Sequence, residues 1–311
     1  MRAVRLISPG GVDGVVLEEV GKPSPSAGEA VVQVHAAALT RDELSWPLER
    51  LPAIPSYEVS GTIAEVGAGV TDFEPGDVVY GLTGFERDGV AAQFAAIPAE
   101  RLAGKPRLLS HVEASSMPLA GLSAMQGLFD HGRLEAGQRV LIHGGAGGVG
   151  ALAVQLAKVR GAHVIATATG PRVAVAGDIG ADEVIDHATD SFTVIDPVDL
   201  VFDTVGGSRL AGSPAVVIPG GRIVSVAERP RSGLGAKEGV EPIFFIVEPD
   251  ADQLAELARL ADKGDIRVLV DRIFSLDHAR EAFQRLQSGD AIGKVVLTVR
   301  DATDVFAVGG G

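Results

Sequence analysis

The run Val140-Leu-Ile-His-Gly-Gly-Ala-Gly-Gly-Val-Gly-Ala-Leu-Ala-Val-Gln-Leu-Ala-Lys158 passes from an apolar strand into a helix through five glycines. Gly145, Gly147 and Gly150 satisfy the spacing G-x-G-x-x-G, with Gly148 and Val149 between the last two. In such a turn the first glycine lets the strand reverse, the second lets backbone approach a pyrophosphate, and the third lets helix pack closely on strand. The amides that open the helix have no partner within it and lie at the positive end of its dipole, so they attract phosphate. Glycine-rich turns also serve plain chain reversal. Here Val140-Leu-Ile142 reads as a buried strand, and Ala151, Val154, Leu156 and Ala157 as the packed side of a helix, which favours a dinucleotide site.

Outward from this turn, 311 residues leave room for two cores, and 46% hydrophobic content with a mean hydropathy of +0.25 indicates a globular chain. A net charge of −14 opposes nucleic acid or an anionic membrane as partner, because phosphate neutralisation needs clustered Lys and Arg. An anionic cofactor is still compatible, since backbone dipoles and one or two local cations suffice. The absence of cysteine excludes disulfides, thiolate zinc sites, Fe–S clusters and a cysteine nucleophile. No signal-peptide pattern opens the chain and no stretch is apolar enough to span a bilayer, so a cytoplasmic location is expected.

The first third consists of short alternating or apolar runs broken by Gly, Pro and Asp, the pattern of a β-rich unit: Val31–His35, Gly61–Val66 and Asp77–Tyr80 are its clearest strands. The texture turns helical around 112. From Val140, strands at 140–142, 162–167, 183–185, 200–203 and 221–226 alternate with helices at 148–159 and 171–179, which predicts a parallel sheet with ligands outside its carboxyl ends. An amphipathic helix at 252–261 and a strand, helix and strand at 268–299 resume the β-rich texture, and the tail from Arg300 reads as a frayed end. The expected division is 1–112, 113–250 and 251–311, the middle segment forming the nucleotide domain as an insert.

The end of the second parallel strand decides which dinucleotide binds. NAD-preferring sites carry an acidic residue about 20 positions beyond the glycine motif for the ribose 2′-hydroxyl, whereas phosphate-tolerant sites replace it with a cation. Here Thr167-Ala-Thr-Gly170 and Arg172 occupy the place and no carboxylate follows until Asp178. Thr167, Thr169 and Arg172 therefore predict NADPH.

The glycine turn, together with Gly180-Ala-Asp-Glu-Val-Ile-Asp186, Phe202-Asp-Thr-Val-Gly-Gly207, Gly220-Gly-Arg-Ile-Val224 and Gly293-Lys-Val-Val-Leu297, closely resembles the zinc-independent quinone oxidoreductases of the medium-chain dehydrogenase/reductase superfamily. The resemblance covers nearly the whole chain. It implies an α/β fold, with a doubly wound Rossmann sheet inserted in a GroES-like β-rich catalytic domain and the active site in the cleft. Where zinc-dependent relatives carry Cys, His and Cys, this sequence has Thr40, Tyr57 and Ala120, which offers no metal site; the neighbouring Glu58 matches the family's acidic position but is too little for zinc's usual N/S tetrahedron. Where the reductase branch often has Asn-x-x-Asp, this chain has Thr40-Arg-Asp-Glu43.

The resemblance further implies nicotinamide-side contacts at Ser123, an adenosine-phosphate contact at His187, and cofactor contacts at Val205, Phe244 and Phe245. It also places Trp46 and Tyr57 on the segment that walls the substrate cleft, with structural core as the equal alternative for each. His143 is expected to pack rather than ligate. The implied function is an NADPH:quinone oxidoreductase that passes hydride to a quinone or similar electron-poor acceptor without zinc. The alternatives are a 2-alkenal, enone or enoyl-thioester reductase and a non-catalytic NADPH-binding protein. A homodimer paired through the apolar run Ile243–Val247 is also expected, since relatives commonly pair sheet edges.

Overall fold

The computed structural model describes residues 1–9, 11–46, 48–236, 239, 240 and 242–299. The tail from Arg300 lies outside the described residues. The first strands are β1 (Arg2–Leu6), β2 (Val15–Glu19), β3 (Glu29–Leu39), β4 (Glu58–Val66), β5 (Val78–Leu82), β6 (Phe94–Pro98) and β7 (Leu102–Gly104). Helices α1 (His111–Ser115) and α2 (Pro118–Met125) follow, and a wider helical turn over Gln126–His131 continues α2. Next come β8 (Arg139–His143), α3 (Gly148–Val159), β9 (His163–Ala168), α4 (Pro171–Asp178), β10 (Glu183–Asp186), β11 (Val198–Asp203), α5 (Gly207–Gly212), β12 (Val217–Ser225) and β13 (Ile243–Phe244). The chain finishes with α6 (Ala251–Lys263), β14 (Val270–Ser275), α7 (Ala279–Gln287) and β15 (Lys294–Thr298).

Two compact units result. One comprises Met1–Leu119, Pro249–Lys263 and the chain from Val268, and is built on a seven-stranded sheet in the order β14-β15-β3-β4-β5-β7, with β6 also on β3. Leu6, Val34, Val59, Phe283 and Val295 are among its fully buried core residues. The 11-residue β3 is long enough to pair β4 along one side while β6 and then β15 share the other. Residues 113–119, expected in the inserted segment, stay here because α1 is anchored by a capping box between Ser110 and Glu113 and the amide of Leu119 donates to buried Glu58 (2.9 Å).

The other unit comprises Ala120–Glu248 with Gly264–Arg267. Its six strands are all parallel in the order β10-β9-β8-β11-β12-β13, so the direction of progression reverses between β8 and β11. Fully buried Leu141, Ile165, Val201 and Ile223 come one from each central strand, which is why these read as continuous apolar runs. Residues 264–267 belong here because the Gln155 side chain on α3 clamps Arg267, donating to its carbonyl (2.9 Å) and accepting from its amide (2.8 Å).

The expected edge run over 243–247 is shorter in the structure. Only Ile243 and Phe244 pair with β12, and beyond them Phe245 and Val247 turn inward while Ile246 faces out. The Gln126 side chain, exchanging two hydrogen bonds with the backbone of Glu248, pulls the chain off the ladder. Among the described residues no helix is long and apolar enough to cross a membrane.

Candidate active site

In the parallel-sheet unit the sequence-predicted cofactor residues fall at the carboxyl ends of the strands. The turn after β8 carries Gly145, Gly147, Gly148, Val149 and Gly150; Thr169 and Arg172 follow β9, His187 follows β10, Val205 follows β11, and Phe244 and Phe245 lie at β13. The β8–β11 reversal separates the first strands' loops from those of the others, the place where open α/β sheets leave a crevice for ligands.

The glycines divide the labour differently from the sequence expectation. Reversal falls to Gly144, whose φ of +78° lies in the left-handed region, and not to Gly145. Gly145 is a packing position: a Cβ there would stand 2.6 Å from the Cβ of Ala166 on β9. At Gly150 a Cβ would meet the carbonyl oxygen of Gly144 at 2.1 Å, so close contact of helix and turn requires glycine. At Gly147 a Cβ would touch only that oxygen, at 3.3 Å, and no side chain caps the helix. The first amides of α3 thus open onto an uncrowded backbone cradle, which fits a pyrophosphate.

Thr167 departs from the expectation. It is fully buried, and its hydroxyl accepts from the Gly144 amide (3.2 Å) while lying 3.3 Å from His143 Nδ1. His143 is also fully buried, with Nε2 3.2 Å from Ser213 Oγ. Because Ser213 spends its proton on the Arg209 carbonyl (2.8 Å), Nε2 of His143 donates and Nδ1 accepts from Thr167. Burial holds the His143 pKa down at about 3, so the ring is neutral. Thr167 therefore braces the glycine turn from beneath. Thr169 and Arg172 are both partly exposed, with the Arg172 amide on the Thr169 carbonyl (3.2 Å).

Other strand ends are braced similarly. Buried Asp203 accepts from the amides of Val205 (3.2 Å) and Gly206 (3.0 Å) and from the Ser225 hydroxyl (2.7 Å), which fixes the turn that exposes Val205. The Phe244 ring lies beneath the Arg229 guanidinium (4.8 Å) and that of Phe245 against His131 (4.4 Å). The His187 amide extends the sheet to the Ala168 carbonyl (3.1 Å). Ser123 is buried within α2.

The other unit holds a buried polar network at the ends of β3, β4 and β15. Lys294, 5% exposed, forms an ion pair with fully buried Glu58 and donates to the Thr40 hydroxyl (3.1 Å). Glu43, 1% exposed, accepts from the amides of Thr40 (2.9 Å) and Ser56 (3.2 Å). Burial pushes its carboxyl up to about 8, against the backbone hydrogen bond from Thr40 and the Lys294 charge.

Tyr57 packs between Trp46 (5.7 Å) and Phe85 (5.1 Å), 1% exposed, and its hydroxyl, closed off from solvent, has no partner at hydrogen-bond distance among the described residues. Burial raises its pKa to about 12, with the Glu43 charge acting in the same direction. Trp46 keeps 38% of its surface open.

Sequence reading assigned no role to Lys294, Glu43 or Asp203. A signal existed for the first: a lysine heading the apolar strand Lys294-Val-Val-Leu and a glutamate heading Glu58-Val-Ser are each too costly to bury alone, so each demands an opposite partner.

Residues 26–107 match the alcohol dehydrogenase GroES-like domain, and residues 179–297 match the family described as zinc-binding dehydrogenase. A 2-methylene-furan-3-one reductase of Solanum lycopersicum is 33% identical over 96% of this chain and 79% of its own. An NADPH-dependent alkenal/one oxidoreductase of Arabidopsis thaliana is 32% identical over 93% of this chain and 77% of its own. The solved quinone oxidoreductase from Coxiella burnetii superposes with a TM-score of 0.90 at 30% identity, covering 96% of this chain and 99% of that one. With a GroES-like β-rich unit, a doubly wound Rossmann sheet and relatives of this kind that match nearly all of it, the chain is an oxidoreductase of the quinone oxidoreductase branch of the medium-chain dehydrogenase/reductase superfamily.

Proposed function

We propose that this protein is an NADPH-dependent reductase that works without zinc and delivers hydride to a conjugated carbonyl acceptor, a quinone or an enone. The observation that carries the metal-free reading is the buried Lys294–Glu58 pair. A metal placed at Thr40 and Tyr57 would have no N or S donor there; of the two nearby carboxylates, Glu58 is already neutralised by an ammonium that would repel a divalent cation, and Glu43 has its oxygens committed to the amides of Thr40 and Ser56. The residues do not fit zinc. Among the described residues no three His, Asp or Glu side chains converge to offer another site.

The Gly147 cradle and the amides of Gly148, Val149 and Gly150 fit the pyrophosphate, while Thr169 and Arg172 fit a 2′-phosphate. When bound, reduced nicotinamide supplies the hydride. The acceptor's oxygen gains charge as the hydride adds, and the protein's part is to orient the acceptor and provide donors for that oxygen. Tyr57, its hydroxyl sealed from solvent and its ring held between Trp46 and Phe85, backs the partly exposed Trp46 rather than meeting the acceptor. The enone class is supported by the alkenal and furanone reductases among the relatives, and the quinone class by the Coxiella structure. A homodimer formed through the β13 edge completes the proposal, with a light-scattering mass of twice 32.0 kDa as its check.

Steady-state assays of quinones, alkenals and enoyl thioesters with NADPH and NADH test the reading. Turnover should be unchanged by chelators and should favour NADPH. Charge-assisted bonds of about 1.5–3 kcal/mol to the 2′-phosphate correspond to a preference of roughly ten- to a hundredfold. Arg172→Ala should raise the Michaelis constant for NADPH by about that factor and leave that for NADH nearly unchanged. A zinc whose removal abolished activity would sink the metal-free reading, and equal weakening of both cofactors would sink the ribose assignment.

A further inference from the structure

We infer that Lys294 is a positioning residue that acts through the Thr40 hydroxyl, making Thr40 a hydrogen-bond donor to the negative oxygen that forms on the acceptor. The inference rests on the conjugated-carbonyl reading above and assigns that reading its donor.

An ammonium has only donors to offer. At 3.1 Å from Lys294 Nζ, the Thr40 oxygen must accept, so its own proton points elsewhere. Among the described residues no acceptor takes that proton. A hydroxyl that accepts from a cation is polarised and becomes a stronger donor in turn, more so where the surroundings are of low dielectric. The surroundings here are of that kind: Glu43, Ser56, Glu58 and Lys294 are all buried. Thr40 is the one partly exposed member of the group, and hence the one through which the buried charge can reach a ligand.

Its placement is fixed from both sides. The Thr40 amide donates to Glu43 Oε2 (2.9 Å), the Thr40 carbonyl accepts from the Glu43 amide (3.3 Å), and the β-branched side chain has few rotamers. Glu58 in turn holds Lys294 against Thr40 and is itself fixed by the Leu119 amide (2.9 Å).

The chemistry asks for such a donor. When bound, the reduced nicotinamide would lose its C4–H bond as a new C–H bond forms at the electron-poor carbon of the acceptor, leaving oxidised cofactor. The conjugated π pair shifts onto the carbonyl oxygen, which becomes an enolate; for a quinone, tautomerisation of the protonated product then gives the hydroquinone. Thr40 donates a hydrogen bond to that oxygen without giving up its proton; solvent then protonates the product. Because the oxygen carries more charge in the transition state than in the substrate, the bond contributes mainly to kcat.

The test compares Thr40→Val and Thr40→Ser with the double variant E58Q/K294M, which removes both buried charges together so that neither is stranded. Val at 40 should lower kcat roughly 100-fold, with NADPH binding by fluorescence unchanged, and Ser should restore most of the rate. E58Q/K294M, its fold checked by thermal melting, should fall short of wild type. Adding T40V to it should cost little more than T40V alone, because the pair acts through Thr40. Multiplicative losses would mean a merely structural pair and would overturn the inference.

A readout without turnover uses 4-nitrophenolate as a stable negative oxygen, followed by its absorbance. Wild type should bind it about tenfold more tightly than T40V. If wild type reduced quinones while T40V changed neither rate nor phenolate binding, this inference would fall and the proposed function would stand. If no acceptor were reduced yet phenolate binding depended on Thr40, the reverse would hold.

Discussion

Gly150→Ala is expected to destabilise the parallel-sheet unit by about 3 kcal/mol and to abolish measurable NADPH binding. The new Cβ would stand 2.1 Å from the Gly144 oxygen and 2.8 Å from its carbonyl carbon. Both are backbone atoms of a turn already fixed by the Gly144 amide on Thr167 and the Gly145 amide on the Thr167 carbonyl (3.0 Å), so neither can yield without dismantling the turn. Gly147→Ala should behave in the opposite sense. With only one contact at 3.3 Å the fold tolerates the methyl, and melting should stay close to wild type. The methyl nevertheless enters the space proposed for the pyrophosphate and should weaken NADPH by roughly ten- to a hundredfold, the equivalent of one charge-assisted hydrogen bond. Thermal melts and fluorescence titrations of the two variants separate the packing glycine from the ligand glycine. Equal stability of Gly150→Ala and wild type would refute the assignment.

Stability should peak near pH 6.5 and fall on both sides. Glu43 titrates at about 8 in the folded chain against 4.5 when unexposed to burial, so between these values the folded state keeps a proton that the unfolded state has lost. Its contribution is complete below pH 4.5 and is lost as pH rises through 8, with a slope approaching about 1.4 kcal/mol per pH unit. His143 and His111 work in the other direction. Burial lowers each from 6.5 to about 3, aided at His143 by the Arg209 and His187 charges and at His111 by those of His35, on which its ring stacks at 4.2 Å, and Lys105. Their contribution is present above 6.5 and is lost as pH falls towards 3. Between pH 4.5 and 6.5 two histidines outweigh one glutamate, and above 6.5 the glutamate acts alone. Urea unfolding across this range should show the peak, and Glu43→Gln should remove the alkaline fall while leaving the acid limb. A wild-type profile flat from pH 6.5 to 8 would contradict the assignment of Glu43.

Much of the parallel sheet was legible because its signals are local. Apolar strand runs, glycine spacing and helical periodicity placed β8, α3, β9 and α4 within a residue or so of their observed ends, α3 without error. What escaped depends on atoms brought together from afar. Gly144 rather than Gly145 takes the positive φ, a distinction of one residue that spacing alone does not make. Thr167 was read as facing the ribose, whereas the neutral His143 beneath it, itself oriented by Ser213, draws its hydroxyl inward. The Lys294–Glu58–Thr40 network spans more than 250 positions of sequence, so a charge at one end of the chain carried no visible link to its partner at the other. Residues 113–119 were assigned by their helical texture, while their anchors, Ser110 and Glu58, lie in the β-rich unit.

The long strand β3 has a consequence for synthesis of the chain. Its first half finds both neighbours, β4 and β6, within the first 98 residues, but Ala36–Leu39 must wait for β15 on one flank. At about 5–20 residues per second, the roughly 200 residues between β6 and β15 take on the order of 10–40 s to emerge. Throughout that interval a four-residue apolar edge with unpaired amides and carbonyls is presented by an otherwise assembled sheet, next to a glutamate that still lacks its lysine. The nascent chain is thus most prone to wrong pairing when it is nearly complete in mass but not in sheet. Its yield should respond to holding chaperones and to slower translation of the last segment more than to changes in the parallel-sheet unit, which closes on local contacts.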